Sequence, residues 1–130
     1  MADQTSDRFN AELASFCVTA GEYLDSQIGE ALIIKIPETI RVGGFDYKIA
    51  FPEKIEDDCG EHWGHWNHLP PVIQISQGAD EERTSATFIH EILHAIDDTI
   101  LGGKLEEQDV KNLEAGFHQA MEQLGVRFVR

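Results

Sequence analysis

His90, Glu91 and His94 stand in the pentapeptide His-Glu-Ile-Leu-His, a spacing that carries a mechanism with it. Each residue of an α-helix turns by about 100°, so His90 and His94 leave one face on successive turns, close enough to grip a single ion. Glu91 lies to one side of the pair, within reach of a water on that ion. Zinc is the ion implied: imidazole nitrogen suits it, and a tetrahedral site with three protein ligands keeps one position for water. Such a water has a pKa near ~7, so a neighbouring carboxylate can take its proton at neutral pH. The spacing therefore predicts zinc-dependent hydrolysis of peptide bonds, with Glu91 as general base and then proton donor to the leaving amine.

A third protein ligand is required, and several residues compete. Asp97 follows His94 by three and continues the same helical line, so it approaches the ion from a poor angle. Glu107, Glu114 and His118 share one face of the next amphipathic segment. Simple hairpin symmetry about Gly102-Gly103 would set Glu114 opposite the middle of the motif. The residues alone leave this choice open.

The elements that must hold these side chains are partly legible. Residues 80–101 read as a helix with Asp80 as N-cap and Glu81 and Glu82 in its first turn. Ile89, Ile92, Leu93, Ile96 and Ile100 form its buried stripe, centred about 110–130° from the histidines, which leaves the latter free to face a cleft. Gly102-Gly103 breaks it. A second helix follows over 106–124, with Val110, Leu113, Phe117, Met121 and Leu124 inward and Gly125 at its end. Upstream, ALIIKIPETI and FDYKIAF are β-rich segments, the first interrupted by Pro37 and the two joined through a turn at Gly43-Gly44. VIQIS (72–76) is a short strand, and residues 52–71 read as a loop. His62, His65 and His68 recur in that loop, with Trp63 and Trp66 between them and Cys59 upstream. They suit a wall of the cleft, a second metal site, or a loop whose tryptophans cap the core. Phe9, Leu13, Phe16, Ala20, Leu24 and Ile28 mark an amphipathic helix over 6–28, with Cys17 as a small buried residue beside the stripe. Helix, strands, helix, helix is the order of an α+β domain, a small sheet covered by helices.

Bulk properties narrow the function classes. The chain has 130 residues and a formal charge of −14, from 24 acidic against 10 basic residues. That length suits a single domain. That charge argues against nucleic acid or anionic membrane as partner, since phosphate contact needs clustered Lys and Arg. The start MADQTSDRFNAEL lacks the basic and apolar parts of a signal peptide, and no apolar run approaches the ~18 residues of a membrane span. Two distant cysteines in no paired motif fit free thiols, so a cytoplasmic protein is expected.

TFIHEILHAIDD followed by LEEQDVKNLEAGFHQAM resembles small phage- or prophage-type zincin metallopeptidases, relatives of the ImmA/IrrE-type proteases. Leu105, Glu107, Val110, Leu113, Gly116 and Phe117 match that pattern's line after the motif, over a resemblance covering residues 33–124. It implies Glu107 as third ligand to zinc beside His90 and His94, and a peptide or protein substrate. It also implies that VIQIS is the edge strand that binds an extended peptide by strand addition, and that a further side chain stabilises the oxyanion. His118, His65, His68 and Tyr47 are the candidates. The expectation is thus a helical extension over 1–30 and a minimal zincin-like domain over 31–130: a small sheet on the active-site helix and a C-terminal helix. The alternative is a zincin-like regulatory or binding module whose metal is structural or inactive.

Overall fold

The computed structural model describes residues 32–130; the helix expected over 6–28, the 1–30 extension and Cys17 lie outside the described residues. Pro37 has no N–H to give a ladder, and the first β-rich stretch divides there into β1 (Leu32–Lys35) and β2 (Thr39–Val42). Next come β3 (Phe45–Ala50), β4 (Ile55–Asp57), β5 (Gly60–His62), β6 (Gly64–Asn67) and β7 (Val72–Ile75). Helix α1 (Glu81–Ile96) runs into a π-helical turn (Asp97–Leu101), and α2 (Glu107–Gln123) precedes a last strand, β8 (Val126–Val129). The arrangement is mixed α+β, with two helices on small sheets. No described helix is long and apolar enough to cross a membrane.

The main sheet has the order β2-β3-β7-β6. β2 and β3 are joined by Gly43 and Gly44 at φ 58° and 86°, the left-handed pair that a two-residue hairpin turn demands. A side chain on Gly43 would also run into Thr99, so the hairpin tip rests on the π-turn. β7 lies parallel to β3 and antiparallel to β6. This corrects two expectations. VIQIS is an interior strand, paired on both sides, with Ile73 and Ile75 fully buried. The edge is β6, which comes from the stretch expected to be a loop; 52–71 contains β4, β5 and β6. β8, unforeseen, pairs in parallel with β1, and the Phe128 N–H donates to the Ser85 hydroxyl on α1 at 3.0 Å.

Two clusters hold α1 along two of its faces. Tyr47, Ile49, Ile73 and Ile75 alternate inward from β3 and β7 and meet Phe88 and Ala95. Ile89 and Leu93 pack on Val110 of α2, with Leu105, Met121 and Phe128 around them. Ile100, expected in the stripe, is exposed, because the wider π-turn puts it out of phase with α1. Leu113, Phe117 and Leu124 are exposed as well; of the stripe expected to face inward on α2, only Val110 is fully buried. A stripe specifies a side of the helix, and among the described residues that side meets a partner only in part.

Candidate metal centre

α1 starts where Asp80 accepts a hydrogen bond from the Arg83 N–H at 2.7 Å, with Glu81 and Glu82 in the first turn as expected. The sheet and α2 take two of its sides, and the face left over bears His90 and His94. That face looks into a cleft of about 560 Å³ whose walls are β5–β6, α1 and the first turns of α2. The turn that brings α2 back is stitched by Asp97. Its carboxylate accepts from the Leu105 N–H at 3.0 Å and its carbonyl from the Gly103 N–H at 2.9 Å. Glu106 and Asp109 then cap α2 reciprocally, which fixes Glu107 as its first residue.

His90, His94 and Glu107 come together. The two Nε2 atoms are 3.1 Å apart, and the Glu107 carboxylate lies 3.1 Å from that of His90 and 3.0 Å from that of His94. This group could hold a metal ion, and it is the one such cluster among the described residues. Glu114, weighed as a ligand, takes a different position: its Oε1 is 3.1 Å from Nδ1 of His90. With the proton on Nδ1 donated to Glu114, Nε2 presents its lone pair to the centre and the ring cannot swing. Asp97 is buried in the turn it stitches and is not in the cluster.

Glu91 is buried at 5% exposure on the cleft wall, and its Oε2 has no hydrogen-bond partner. Burial, with the negative charges of Glu107 and Glu114 adding to it, pushes its carboxyl up from 4.5 to about 8. Burial likewise holds His94 below the ordinary histidine value, against the opposing pull of Glu107. Trp66 of β6 stacks on His94, ring centroids 5.8 Å apart and planes within 15°.

The histidines of the 62–68 stretch divide. His62 and His65 line the cleft, and His62 also pairs with Asp57 at 2.9 Å. His68 turns away to contact Asp98 at 2.8 Å, off the line of a good hydrogen bond. Of the four oxyanion candidates, only His65 lines the cleft. Tyr47 is sealed in the core, and His118 lies in a separate hollow beside Glu82. Gly64 went unnoticed in the sequence. A Cβ there would collide with Thr87 and come within 2.8 Å of Glu91 Oε1, so a glycine lets β6 pass directly over the carboxylate. Alternation was the available signal: Gly64 and Trp66 are half-buried, His65 and Asn67 exposed. No protein-family profile, curated protein or solved structure matches this chain.

Proposed function

We propose that this chain is a zinc-dependent endopeptidase of the zincin type, in which His90, His94 and Glu107 hold the ion and Glu91 is the general base. The observation that carries the reading is the convergence of both Nε2 atoms, 3.1 Å apart, on the Glu107 carboxylate, one oxygen 3.1 Å from His90 and the other 3.0 Å from His94, beside a buried carboxylate on the wall of an open cleft. One Nε2–H can satisfy one carboxylate oxygen, but the remaining lone pairs face one another and ask for a cation. Zinc bonds of ~2.0–2.1 Å in tetrahedral directions set ligand atoms roughly 3.3 Å apart, and one ligand atom from each of the three residues already lies within 4.8 Å of the others. Zinc, when bound, supplies a Lewis acid for the peptide carbonyl and brings water to a pKa near ~7.

The residues then divide the work. Glu91 takes the proton of the attacking water and delivers it to the leaving amine; a bound dication would offset the burial and the neighbouring carboxylates that hold its proton in the metal-free chain, and so free it to act as base. Glu114 holds His90 in one tautomer. The outer edge of β6, unpaired among the described residues, offers backbone N–H and C=O groups to an extended peptide. The exposed His65 on that strand is suited to hydrogen-bond the developing oxyanion. A structural metal is usually closed by four protein ligands, whereas the cluster here has three, which favours the peptidase over the regulatory module.

Glu91→Gln separates binding from chemistry. Zinc content by elemental analysis should stay at the wild-type level while peptide hydrolysis falls by ~10²–10⁴-fold. Unchanged turnover in a zinc-replete variant removes Glu91 from its role. A zinc-loaded wild type that cleaves nothing across a broad peptide library leaves the binding-module reading in its place.

A further inference from the structure

Arg83 and Lys111 line the same cleft as the metal cluster. Arg83 shares a helical face with Thr87, His90 and His94, two turns before the first histidine. Lys111 stands on α2 one turn after Glu107 and just before Glu114. Among the described residues, Arg41, Lys54 and Arg127 are engaged in ion pairs; Arg83 and Lys111, like Lys35, Lys48, Lys104 and Arg130, join none, and of these cations they alone line the cleft. The carboxylates nearest Lys111 along its helix are turned to other partners, Glu107 to both histidines and Glu114 to His90. With a dication bound, these two cations outweigh what remains of Glu91, Glu107 and Glu114. The cleft then carries net positive charge on a chain whose overall charge is −14.

We infer that Arg83 and Lys111 form a carboxylate-recognising subsite, so that the preferred peptide carries an acidic side chain or a free C-terminus close to the scissile bond; the inference rests on the peptidase reading. The acidic exterior acts in the opposite sense at a distance, drawing basic peptides. That field is screened over ~8–10 Å at ordinary salt, and direct charge-assisted hydrogen bonds decide affinity once the peptide is seated. A purely internal role is the competing account: the two cations would only offset the cleft's own carboxylates, and their loss would then change zinc affinity.

The test uses the full chain, zinc-loaded, as wild type and as Glu91→Gln. The probes are hexapeptides in which Glu, Gln or Lys is scanned through every position, each with a free and an amidated C-terminus. Binding is read from intrinsic fluorescence, since both tryptophans of the chain line the cleft. A glutamate at one position, or the free C-terminus, should tighten binding by at least ~10-fold over its neutral counterpart. Which of the two does so identifies the source of the carboxylate. Arg83→Gln with Lys111→Gln should erase that preference and leave zinc affinity unchanged. Equal binding of all peptides, tightest binding of the lysine series, a preference that survives in the double variant, or a changed zinc affinity in it overturns the inference. Hydrolysis by the wild type is scored separately. A carboxylate preference without cleavage keeps the subsite and removes the peptidase, while cleavage without preference does the reverse.

Discussion

The two helices that bear the candidate ligands are held very differently. In α1, buried positions run unbroken from Thr84 to Ile89 and continue at Glu91, Leu93 and Ala95; in α2, only Val110 is buried. His90 and His94 therefore project from a rod fixed by the sheet on one side and by Val110, Leu105 and Phe128 on the other. Glu107 stands 54% exposed at the start of the less anchored helix. The lesson is a division of roles: α1 sets the position of the site, and α2 closes it. Metal binding should then add more order to α2 than to α1.

The largest effect that tests this division is on metal affinity. His94→Ala and His90→Ala should abolish stoichiometric zinc binding, and Glu107→Ala should weaken it by more than ~100-fold. Glu114→Ala, which frees the His90 ring, should weaken it by ~10–100-fold. Competitive titration against a chelating dye ranks the four. Equal losses for Glu107→Ala and Asp97→Ala would break the assignment of the third ligand, because Asp97 serves the turn.

A second effect separates the two helices through pH. Glu91 on α1 holds its proton up to about 8 when folded, against 4.5 ordinarily, so between these values the folded chain binds more protons than the unfolded one. Metal-free protein should therefore lose this contribution as pH rises through that window, on the order of several kcal/mol across it. Glu91→Gln, which has no such proton, should gain stability relative to wild type as pH rises from about 4.5 to 8. Denaturant melts of the two metal-free proteins at pH 5 and pH 8 give the difference directly. A pH-independent difference would mean that Glu91 is not buried as described.

The smallest effect contrasts two positions within α2. Val110→Ala removes two methyls from the sealed contact with Ile89 and Leu93 and should cost about 1–3 kcal/mol in metal-free denaturation. Leu113→Ala, on the exposed part of the same stripe, should cost no more than about 1 kcal/mol. Equal costs would show that the exposed part is covered after all.

Where the sequence succeeded, local chemistry was sufficient. The Asp80 cap, the motif spacing and the paired glycines of the hairpin each act over a few residues and are realised as read. It failed where the answer depends on a distant partner. VIQIS shows apolar alternation whether it lies at the edge or inside a sheet, and only its neighbours β3 and β6 decide which. GHWN hid among charges and aromatics, while its burial alternates with a period of two. Ile100 lost its place because a π-turn shifts the helical phase, which no stripe reveals. The choice of Glu107 over Glu114 came from resemblance; spacing alone could not show that one carboxylate faces the Nε2 atoms and the other Nδ1.

The Asp97 stitch has one further consequence. Because it folds the chain straight back from His94 to Glu107, every donor of the cluster is encoded between residues 90 and 107, in one uninterrupted stretch. The opposite wall, His62 to Trp66, is encoded elsewhere and touches that stretch chiefly through Gly64 and Trp66. Substitutions in the 52–71 stretch can therefore reshape the opposite wall while leaving His90, His94 and Glu107 in place, except at Gly64 and Trp66, where the two stretches meet.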